Sequence, residues 1–502
     1  MKFLTSNVKI PKFLENGLCS HYSVGYLLIN LNGKRNCFVA TTIRLNRRLL
    51  LSFDFKPHHL PFYLRLQAMK ISIVKPFLAG CLLLLFCSPA ISQLNNPSFV
   101  IGDALPDAPA LAPRGQYKVG VQTINLMHMN QVDILNSKGS SEVLYNRPLK
   151  VEVWYPANIP NNKEMVTYQS TLGLKGDSTR PLIPIAFSGR ALRNAVPDRS
   201  AGSYPLVIVS HGYVGTRLLM TYLTENLASK GYVVVAIDHT ESTNSDRAGF
   251  QSTLLNRPQD ILFVLNEMAT LSEKNSKSFL SGLADANNTA IIGYSMGGYG
   301  VLNAAGAGYS DKLLAAFGQM TGGSTSIKNR TTNSDIFRAS YDNRIKAVVA
   351  FAPWGMKLGA WDAEGLKGLK VPTFFIAGNL DDVSGYEDGI KAIYKGAVNA
   401  DRYLLTYLNA RHNIAPNPPP AETFKPGVAF NEFYHYAEPA WSSYRLNNIN
   451  QHFITAFIGK YLQKKQYDEY LAVPEQSIDK TWPGFKPRTS TGMELLHVTP
   501  TN

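Results

Sequence analysis

Cysteine is almost absent from this chain. Its 502 residues include four cysteines, and none lies beyond position 87. The long remainder therefore has no thiol that could form a disulfide, ligate a metal ion or attack a substrate. The sequence also lacks an HExxH pattern and any cluster of cysteine with histidine. It therefore predicts no metal and no organic cofactor.

Acidic residues are scarce in the first 75 positions. Of the net charge of +14, ten units fall in residues 1–75, which leaves +4 for the rest of the chain. A strongly basic protein often binds nucleic acid or an anionic membrane. Here the excess is confined to one end, and the remainder has no basic patch interleaved with aromatic residues. The sequence therefore predicts no nucleic-acid partner.

Residues 69–92 contain an apolar run that is too short to span a bilayer. Lys70 and Lys75 precede the run, and small residues ending at Ser92 follow it. A positive start, an apolar middle and a small-residue exit are typical of a secretory signal peptide. We therefore expect cleavage after Ser92, a secreted or periplasmic protein, and no stable transmembrane anchor.

Two alternatives concern the front of the chain. The stretch "LAGC" ending at Cys81 resembles a lipoprotein signal, but the strongest apolar run follows this cysteine instead of preceding it. A signal peptide normally begins a chain, so we interpret residues 1–68 as an over-called start, with Met69 as the true one, or as a disordered extension. Residues 93–116 are rich in Pro, Ala and Asn and are typical of a linker or an extended arm.

Residues 117–465 alternate between strand and helix patterns, which predicts one α/β domain. Strands are predicted at "LKVEVWYP" (149–156), "YPLVIVSHG" (204–212), "GYVVVAIDH" (231–239), "NTAIIGYS" (288–295), "IKAVVAFAP" (345–353) and "VPTFFIAG" (371–378), and helices at 217–231, 257–271 and 448–465. Pro258 is expected near a helix start. Because the strands are apolar on both faces, they favour a mostly parallel central sheet flanked by helices.

The alternation pauses at residues 305–343. This segment is longer than one helix and is rich in Gly, Ser, Thr and Asn. We interpret it as a cap or lid inserted into the domain, and a surface excursion without contact to the site is the alternative. Residues 466–502 are expected to form a C-terminal tail that packs on the domain.

The stretch "AIIGYSMGGYG" (290–300) places Ser295 between a predicted strand and a predicted helix. A Gly-x-Ser-x-Gly pattern in this context is typical of a nucleophile elbow. The sharp turn strains the serine backbone, and its neighbours Gly293 and Gly297 must lack a Cβ. The free N–H groups at the helix start then face the oxyanion that develops on the substrate. Ser295 is therefore the predicted nucleophile.

A serine becomes a good nucleophile only when a base takes its proton. Behind a nucleophile elbow the chain order is serine, acid, histidine. His412 is the predicted base because it lies in a loop just after the predicted strand "RYLLTYL" (402–408). Asp381, three residues beyond Gly378, is the predicted acid that orients the imidazole, and Asp382 is the alternative. The other histidines after Ser295 are expected to have structural roles: His435, His452 and His497.

The loop "HGYVG" (211–215) follows a predicted strand and is expected to supply a second oxyanion donor. We predict that the backbone N–H groups of Tyr213 and Met296 bind the oxyanion. His211 in the same loop is expected to make structural hydrogen bonds and is not assigned to the triad.

Together these motifs resemble the α/β-hydrolase superfamily over residues 116–465. The stretches that carry the resemblance are "YPLVIVSHGYVGTR", "GYVVVAIDHTESTNSD", "RPQDILFVLNEM", "IIGYSMGGYG" and "RHNIAPNP". They look most like the branch that holds platelet-activating-factor acetylhydrolases and predicted dienelactone hydrolases. Dienelactone hydrolases use a cysteine nucleophile, whereas this chain has Ser295. The resemblance implies short-acyl or phospholipid-type esters as substrates.

A second resemblance is to cutinase-like polyesterases. They pair a tyrosine-containing loop with an "SMGG" elbow and carry an "APW" segment like residues 352–354. This resemblance implies that Tyr213 and Trp354 line an acyl or aromatic pocket, and a core position is the alternative for Trp354. A capped site would favour small or single-chain esters. We therefore expect a secreted serine carboxylic-ester hydrolase, with a polyester hydrolase and a catalytically inactive binding protein of the same fold as alternatives.

Overall fold

The computed structural model describes residues 99–139, 141–161, 163–477 and 482–500 in full, and the backbone of three strands within residues 21–55. The chain divides into two compact units, Met1–Asn95 and Asn96–Asn502. In the first unit, β1 (His21–Leu31), β2 (Lys34–Leu45) and β3 (Arg48–Phe55) form an antiparallel meander.

The interpretations made for the front of the chain are not tested by these strands. An over-called start at residues 1–68 stays a prediction. The signal peptide at residues 69–92 and the alternative lipid attachment at Cys81 lie outside the described residues. Among the described helices, none combines the length and the apolar character that crossing a bilayer requires.

The second unit alternates strands and helices, as the sequence predicts. Its strands are β4 (Val119–Val132), β5 (Leu144–Asn158), β6 (Thr167–Leu172), β7 (Ile183–Ser188), β8 (Leu192–Arg193), β9 (Val196–Pro197), β10 (Tyr204–Ser210), β11 (Val233–Asp238), β12 (Ala284–Tyr294), β13 (Ile345–Phe351), β14 (Thr373–Gly378), β15 (Arg402–Tyr407) and β16 (Met493–Val498). Its α-helices are α1 (Thr221–Ser229), α2 (Phe250–Leu271), α3 (Met296–Ala304), α4 (Asp311–Met320), α5 (Asp335–Ala339), α6 (Ala363–Lys367), α7 (Lys391–Gly396), α8 (Phe430–Tyr434), α9 (Ser443–Gln463) and α10 (Asp468–Leu471).

One large sheet organises this unit. Its strand order is β16-β15-β14-β13-β12-β10-β11-β5-β4-β8, and β9 pairs with β5. The strands from β15 to β11 are parallel neighbours, while β16 and β5 join them in the antiparallel sense on either side. Helices α1 and α9 pack together against the sheet, as do α2 and α3. A mostly parallel central sheet flanked by helices is the α/β-hydrolase fold, which confirms the predicted fold class.

The sheet register brings distant loops to one edge. Ser210 at the end of β10 is level with Gly293 of β12, and Gly293 is level with Ala350 of β13. Further along, Gly378 at the end of β14 is level with Tyr407 at the end of β15. Because parallel strands end at the same edge, the loops that follow them meet there, and ligand sites in such sheets lie at the carboxyl edge.

Helix α2 differs from its prediction. It begins at Phe250, so Pro258 lies inside the helix and not near its start. A proline has no N–H to donate to the carbonyl four residues earlier, here that of Leu254. That carbonyl instead accepts the Tyr299 hydroxyl at 3.1 Å. The predicted helix start was wrong because this tertiary hydrogen bond replaces the bond that Pro258 cannot make, so the helix can begin before the proline.

Residues 99–116 form an arm that lies on the domain. The Leu105 N–H donates to the Asn448 side chain at 2.9 Å, and the Asn226 side chain donates to the Ala112 carbonyl at 2.8 Å. The C-terminal tail also contacts the domain, since β16 extends the sheet and the buried Trp482 packs edge-on against Phe453.

Candidate active site

Ser295 lies at the junction between β12 and α3. Its φ is +53°, in the left-handed region that is strained for a residue with a side chain. Its N–H donates to the Phe351 carbonyl at 2.9 Å, and its own carbonyl accepts the Trp354 N–H at 3.1 Å. These backbone bonds to the neighbouring strand end hold the strained turn in place.

The glycines around Ser295 are required by close backbone contacts. A Cβ on Gly293 would lie 2.2 Å from the Gly297 carbonyl oxygen. A Cβ on Gly297 would lie 2.0 Å from the Ser210 carbonyl oxygen. Both distances are far below van der Waals contact, so the elbow can form only when both positions lack a side chain.

Ser295, His412 and Asp381 form one hydrogen-bonded chain. His412 Nε2 lies 3.0 Å from Ser295 Oγ, and His412 Nδ1 lies 2.8 Å from Asp381 Oδ2. All three residues are buried, with 5–7% of their surface exposed. If Asp381 is ionised, Nδ1–H donates to it, which leaves Nε2 free to accept the Ser295 hydroxyl proton. The structure thus brings together the three side chains that the chain order predicts.

Asp381 is held as a carboxylate by its neighbours. Burial alone would raise its pKa, but the hydrogen bond and charge of His412 and the N–H groups of Ser384 and Val383 keep the pKa below its ordinary value. Those two N–H groups donate to Oδ1 at 2.8 and 2.9 Å. Asp381 therefore both stabilises the turn that follows it and bonds the imidazole.

Asp382, the alternative acid, points elsewhere. Its carboxylate pairs with the Arg411 guanidinium at 2.5 Å, and about half of its side chain is exposed. The structure gives it no hydrogen bond to His412. The geometry therefore favours Asp381 over its neighbour as the partner of the imidazole.

The predicted oxyanion donors flank Ser295. Met296 is the first residue of α3, where a backbone N–H has no acceptor within the helix. The loop with Tyr213 passes close to the elbow, since a Cβ on Gly212 would lie 3.4 Å from Ser295 Cβ. Helix dipole and free N–H groups at this point favour a negative charge. The oxyanion role of Tyr213 and Met296 stays a prediction.

The other predicted features of the 211–215 loop are structural. His211 is buried, its Nδ1 lies 2.6 Å from the Gly212 carbonyl, and its Nε2 accepts the His239 N–H at 3.2 Å. The Arg257 guanidinium donates to the His211 carbonyl at 2.5 Å. Burial and the Arg257 charge hold the pKa of His211 far below its ordinary value. A neutral, fully bonded His211 fixes the loop.

A second Ser–His–Asp chain, which the sequence analysis missed, begins at Ser210, the residue before this loop. Ser210 Oγ is 2.8 Å from His239 Nε2, and His239 Nδ1 is 2.9 Å from Asp260 Oδ2. Arg147 binds both Asp260 oxygens, at 2.9 and 3.1 Å. Burial and the Arg257 charge lower the pKa of His239 to about 3. Each of the three residues is at most 1% exposed, so this chain has neither access nor a working base, and its role is structural.

Three half-buried aromatic rings line the region beside Ser295. Tyr213 meets Phe250 edge-to-face at 5.2 Å, and Phe250 meets Trp354 at 5.3 Å. Trp354 is joined to the elbow through its backbone N–H. Trp354 is half-buried, so the alternative prediction of a core position describes it only in part. Phe250 was not predicted, because its position at the start of α2 gives no local signal of contact with the other two rings.

The remaining candidate histidines have other partners. His452 is fully buried in α9, and its Nδ1 accepts the Leu111 N–H at 3.2 Å. His497 on β16 lies 2.7 Å from an Asp401 oxygen and stacks on Tyr403. His435 lies edge-on to Tyr436. Within the described residues, no group of three His, Cys, Asp or Glu side chains could hold a metal ion.

Residues 305–343 contact the domain on the flank of α3. Arg330 donates to the Asn303 side chain at 2.7 Å, near the C-terminal end of α3, and Tyr309 stacks on Tyr299 at 4.9 Å. In the described part of the chain, no hydrogen bond joins this segment to Ser295, His412 or Asp381. A cap over the site therefore stays a prediction.

The fold and the site together define a class. A serine on a strand–turn–helix elbow, bonded to a histidine and an aspartate from later strand ends, is the arrangement found in serine hydrolases of the α/β-hydrolase fold.

Comparisons with known proteins point to esterases of this class. A family model described as "PETase: PET hydrolase-like" matches residues 189–326. Cutinase est1 of Thermobifida alba is 26% identical over 220 residues, which are 44% of this chain and 56% of the relative. Cutinase cut1 of Thermobifida fusca is 24% identical over 221 residues, 44% of this chain and 53% of the relative.

Two further similarities concern other ester hydrolases. A bis(hydroxyethyl) terephthalate hydrolase of Streptomyces coelicolor is 24% identical over 220 residues, 43% of this chain and 53% of the relative. The solved structure of a ferulic acid esterase from Streptomyces cinnamoneus is 19% identical, with a TM-score of 0.45, and covers 72% of this chain and 94% of that chain. The chain thus spans little more than half the length of the curated relatives it matches. The cutinases and the terephthalate-ester hydrolase favour the cutinase-like resemblance, and the branch of platelet-activating-factor acetylhydrolases and dienelactone hydrolases is not confirmed.

Proposed function

We propose that this protein is a serine carboxylic-ester hydrolase that works through an acyl-enzyme. The observation that carries the proposal is the hydrogen-bonded chain from Ser295 through His412 to Asp381, with spacings of 3.0 and 2.8 Å. The strained backbone of Ser295 and its place at a helix start support the same conclusion. The similarity to cutinases and to a terephthalate-ester hydrolase supports an ester as the substrate.

The chemistry follows from these positions. Ser295 Oγ attacks the ester carbonyl carbon while its proton passes to His412 Nε2, and Asp381 stabilises the imidazolium. The N–H groups of Tyr213 and Met296 bind the oxygen on which negative charge develops. His412 then gives the proton to the departing alkoxide, which leaves as an alcohol. A water molecule, deprotonated by His412, then attacks the acyl carbon; the bond to Ser295 Oγ breaks, His412 returns the proton to Oγ, and the acid is released.

The rival to this proposal is an inactive binding protein of the same fold. A fluorophosphonate probe distinguishes the two, because it reacts only with an activated serine. We expect Ser295 to be labelled and Ser295→Ala to lose both labelling and turnover of p-nitrophenyl esters, by about 10⁴-fold or more. Ser210→Ala is the matched control, since Ser210 belongs to the buried chain, and this variant should still be labelled at Ser295. Labelling elsewhere, or none, would contradict the proposal.

For the substrate, we propose esters whose acyl part carries a flat or short apolar group. Tyr213, Phe250 and Trp354 supply aromatic faces and edges beside the elbow, which suits an aromatic acyl group. A ladder of p-nitrophenyl esters of increasing acyl length, with p-nitrophenyl benzoate beside it, tests this. Phe250→Ala should raise KM for the benzoate more than for the acetate. Equal effects on both would contradict the aromatic assignment.

A polyester hydrolase is the second candidate, and one observation favours it. Phe424 and Phe430 are 68% and 69% exposed, far more than large apolar side chains usually are. They belong to a segment attached to the His412 loop, because the Asn413 side chain donates to the Tyr434 carbonyl at 2.6 Å. An apolar polymer surface resting on these rings would therefore lie beside the site.

The test compares a film with a soluble ester. In the double variant Phe424→Ser/Phe430→Ser, release of acid from an amorphous aromatic polyester film should fall while p-nitrophenyl acetate turnover is kept. Ile336→Ser, at a 61% exposed position on α5, is the control and should change neither. No attack on the film by the wild-type protein would exclude this candidate and leave the small-ester proposal standing.

A further inference from the structure

A buried carboxylate that the chemistry above does not use lies against the His412 loop. Glu438 is 6% exposed. One of its oxygens accepts the Arg411 N–H at 2.7 Å, and the other accepts the Asn413 N–H at 2.6 Å. A single carboxylate thus binds the backbone on both sides of His412, in two short charge-assisted hydrogen bonds.

The rest of the loop is tied to the elbow. Asn413 Oδ1 accepts the Tyr294 hydroxyl at 3.1 Å, and Tyr294 is the residue before Ser295. The Tyr294 ring also lies against the His412 imidazole, with ring centres 5.3 Å apart. The backbone that carries the base is therefore held from two directions, by Glu438 and by the strand that carries Ser295.

Glu438 is also a charge near the imidazole. Burial is the largest cause and raises the pKa of Glu438 above its ordinary value; Asp381 acts in the same direction, while the two N–H groups and the charge of His412 oppose the rise. The mutual attraction between Glu438 and a protonated His412 stabilises the imidazolium as much as it stabilises the carboxylate. Besides Glu438, the charged and titratable groups around this loop are Asp381, Tyr294, Tyr434, His435 and Arg411, whose guanidinium pairs with Asp382.

We propose that Glu438 is a positioning residue for the hydrolase reaction: it clamps the backbone on both sides of His412 and, through its charge, stabilises the imidazolium that forms during attack. It acts through the loop and makes no contact with the reacting atoms. The proposal rests on the proposed function, because it assigns Glu438 a role in the step that His412 carries out.

The expected effect follows from the geometry. In Glu438→Gln the side-chain nitrogen faces one of the two backbone N–H groups and cannot accept it, so one bond is lost and the loop shifts. Displacing a catalytic group by about 1 Å costs on the order of 100-fold in rate. We expect kcat for p-nitrophenyl acetate to fall about 10- to 100-fold, with KM changed less than about 3-fold, since the loop does not bind the acyl group.

The pH dependence of kcat/KM distinguishes this role from a purely structural one, which would leave it unchanged. Removing the negative charge makes the imidazolium that forms during attack less stable. The acid limb of kcat/KM for Glu438→Gln should therefore move to lower pH than in the wild type.

Glu432→Gln is the matched control. Glu432 is a buried carboxylate on the neighbouring α8, 3% exposed, and it also accepts one backbone N–H, that of Gly173, at 2.8 Å. Its other partner is the Arg180 guanidinium, at 2.6 Å, so its bonds run to Gly173 and Arg180 and not to the backbone beside His412. We expect this variant to lower the melting temperature as Glu438→Gln does, but to keep kcat and the acid limb.

Three results would overturn the proposal, and a fourth would refute the proposed function instead. A folded Glu438→Gln with wild-type kcat and pH profile would overturn the proposal, and so would an equal loss of kcat in Glu432→Gln. Should Glu438→Gln not fold, Glu438→Asp takes its place, because it keeps the charge but is too short to reach both N–H groups, and unchanged kcat there would overturn the clamp. A wild-type protein that neither turns over esters nor labels at Ser295 would instead refute the proposed function.

Discussion

Three histidines inside the fold make its stability depend on pH. His211, His239 and His452 are at most 2% exposed. Burial is the main cause that lowers the pKa of each, to about 3 for His239 and His452 and well below the ordinary value for His211. A histidine whose pKa is lower in the folded chain takes up its proton only on unfolding, so acidification below about pH 6.5 favours the unfolded state.

The size of the effect can be worked out. Between pH 7.5 and pH 5 an unfolded histidine becomes protonated while His239 and His452 stay neutral, which costs about 2 kcal/mol each and about 4 kcal/mol together. The lowered pKa of His211 acts in the same direction. The loss is a large part of the free energy of unfolding of a typical domain, about 5–15 kcal/mol. The depressed pKa of Asp381 acts in the same direction, but only at lower pH, where carboxylates take up protons.

Urea unfolding at pH 7.5, 6 and 5 measures this directly. His452→Asn isolates one contribution, because an asparagine oxygen can still accept the Leu111 N–H that bonds His452 Nδ1 but does not titrate. This variant should recover about 2 kcal/mol of the pH-dependent loss. A free energy of unfolding that stays constant from pH 7.5 to pH 5, or the same slope in both proteins, would refute the reasoning.

Three further predictions concern the site and the chain start. Asp381→Asn should lower kcat by about 10⁴-fold, because an amide facing Nδ1 favours the wrong imidazole tautomer, whereas Asp382→Asn should keep activity within a few-fold; p-nitrophenyl ester kinetics compare them. Gly297→Ala should destabilise the protein by about 3 kcal/mol or more in thermal unfolding, since its Cβ would meet a carbonyl oxygen at 2.0 Å. N-terminal sequencing of the exported protein should begin at Gln93, and a lipidated cysteine would contradict the signal-peptide interpretation.

The residues that the sequence could assign are those with a local signature or a fixed place in the chain order. Ser295 has both, a strand before it and small residues around it. His412 and Asp381 have only their positions after successive strands. Because parallel strands end at one edge of the sheet, the chain order of serine, acid and histidine was enough to predict that they lie close together. The choice between Asp381 and Asp382 depended on one residue of spacing, and the ion pair with Arg411 now gives a physical reason for it.

The residues that the sequence could not assign depend on contacts between distant segments. Glu438 holds the His412 loop from beyond the intervening aromatic segment, and nothing near it in the sequence indicates a carboxylate with that role. Phe250 joins two predicted pocket residues only because α2 begins earlier than its pattern suggests. The prediction that Pro258 lies near a helix start was wrong because of another contact between distant segments. The hydrogen bond that compensates for the proline comes from Tyr299 on another helix.

Two Ser–His–Asp chains with nearly equal hydrogen-bond lengths lie in one protein, and their surroundings suit them to different roles. The chain through His239 ends on Asp260, whose charge is already balanced by Arg147, and burial keeps that imidazole neutral at any physiological pH. The chain through His412 ends on Asp381, which in the described structure has no cationic partner besides the imidazole. Only there does proton transfer from a serine leave an imidazolium next to an unpaired carboxylate. Charge balance and access, more than the spacing of the three side chains, therefore distinguish a candidate active site from a structural network.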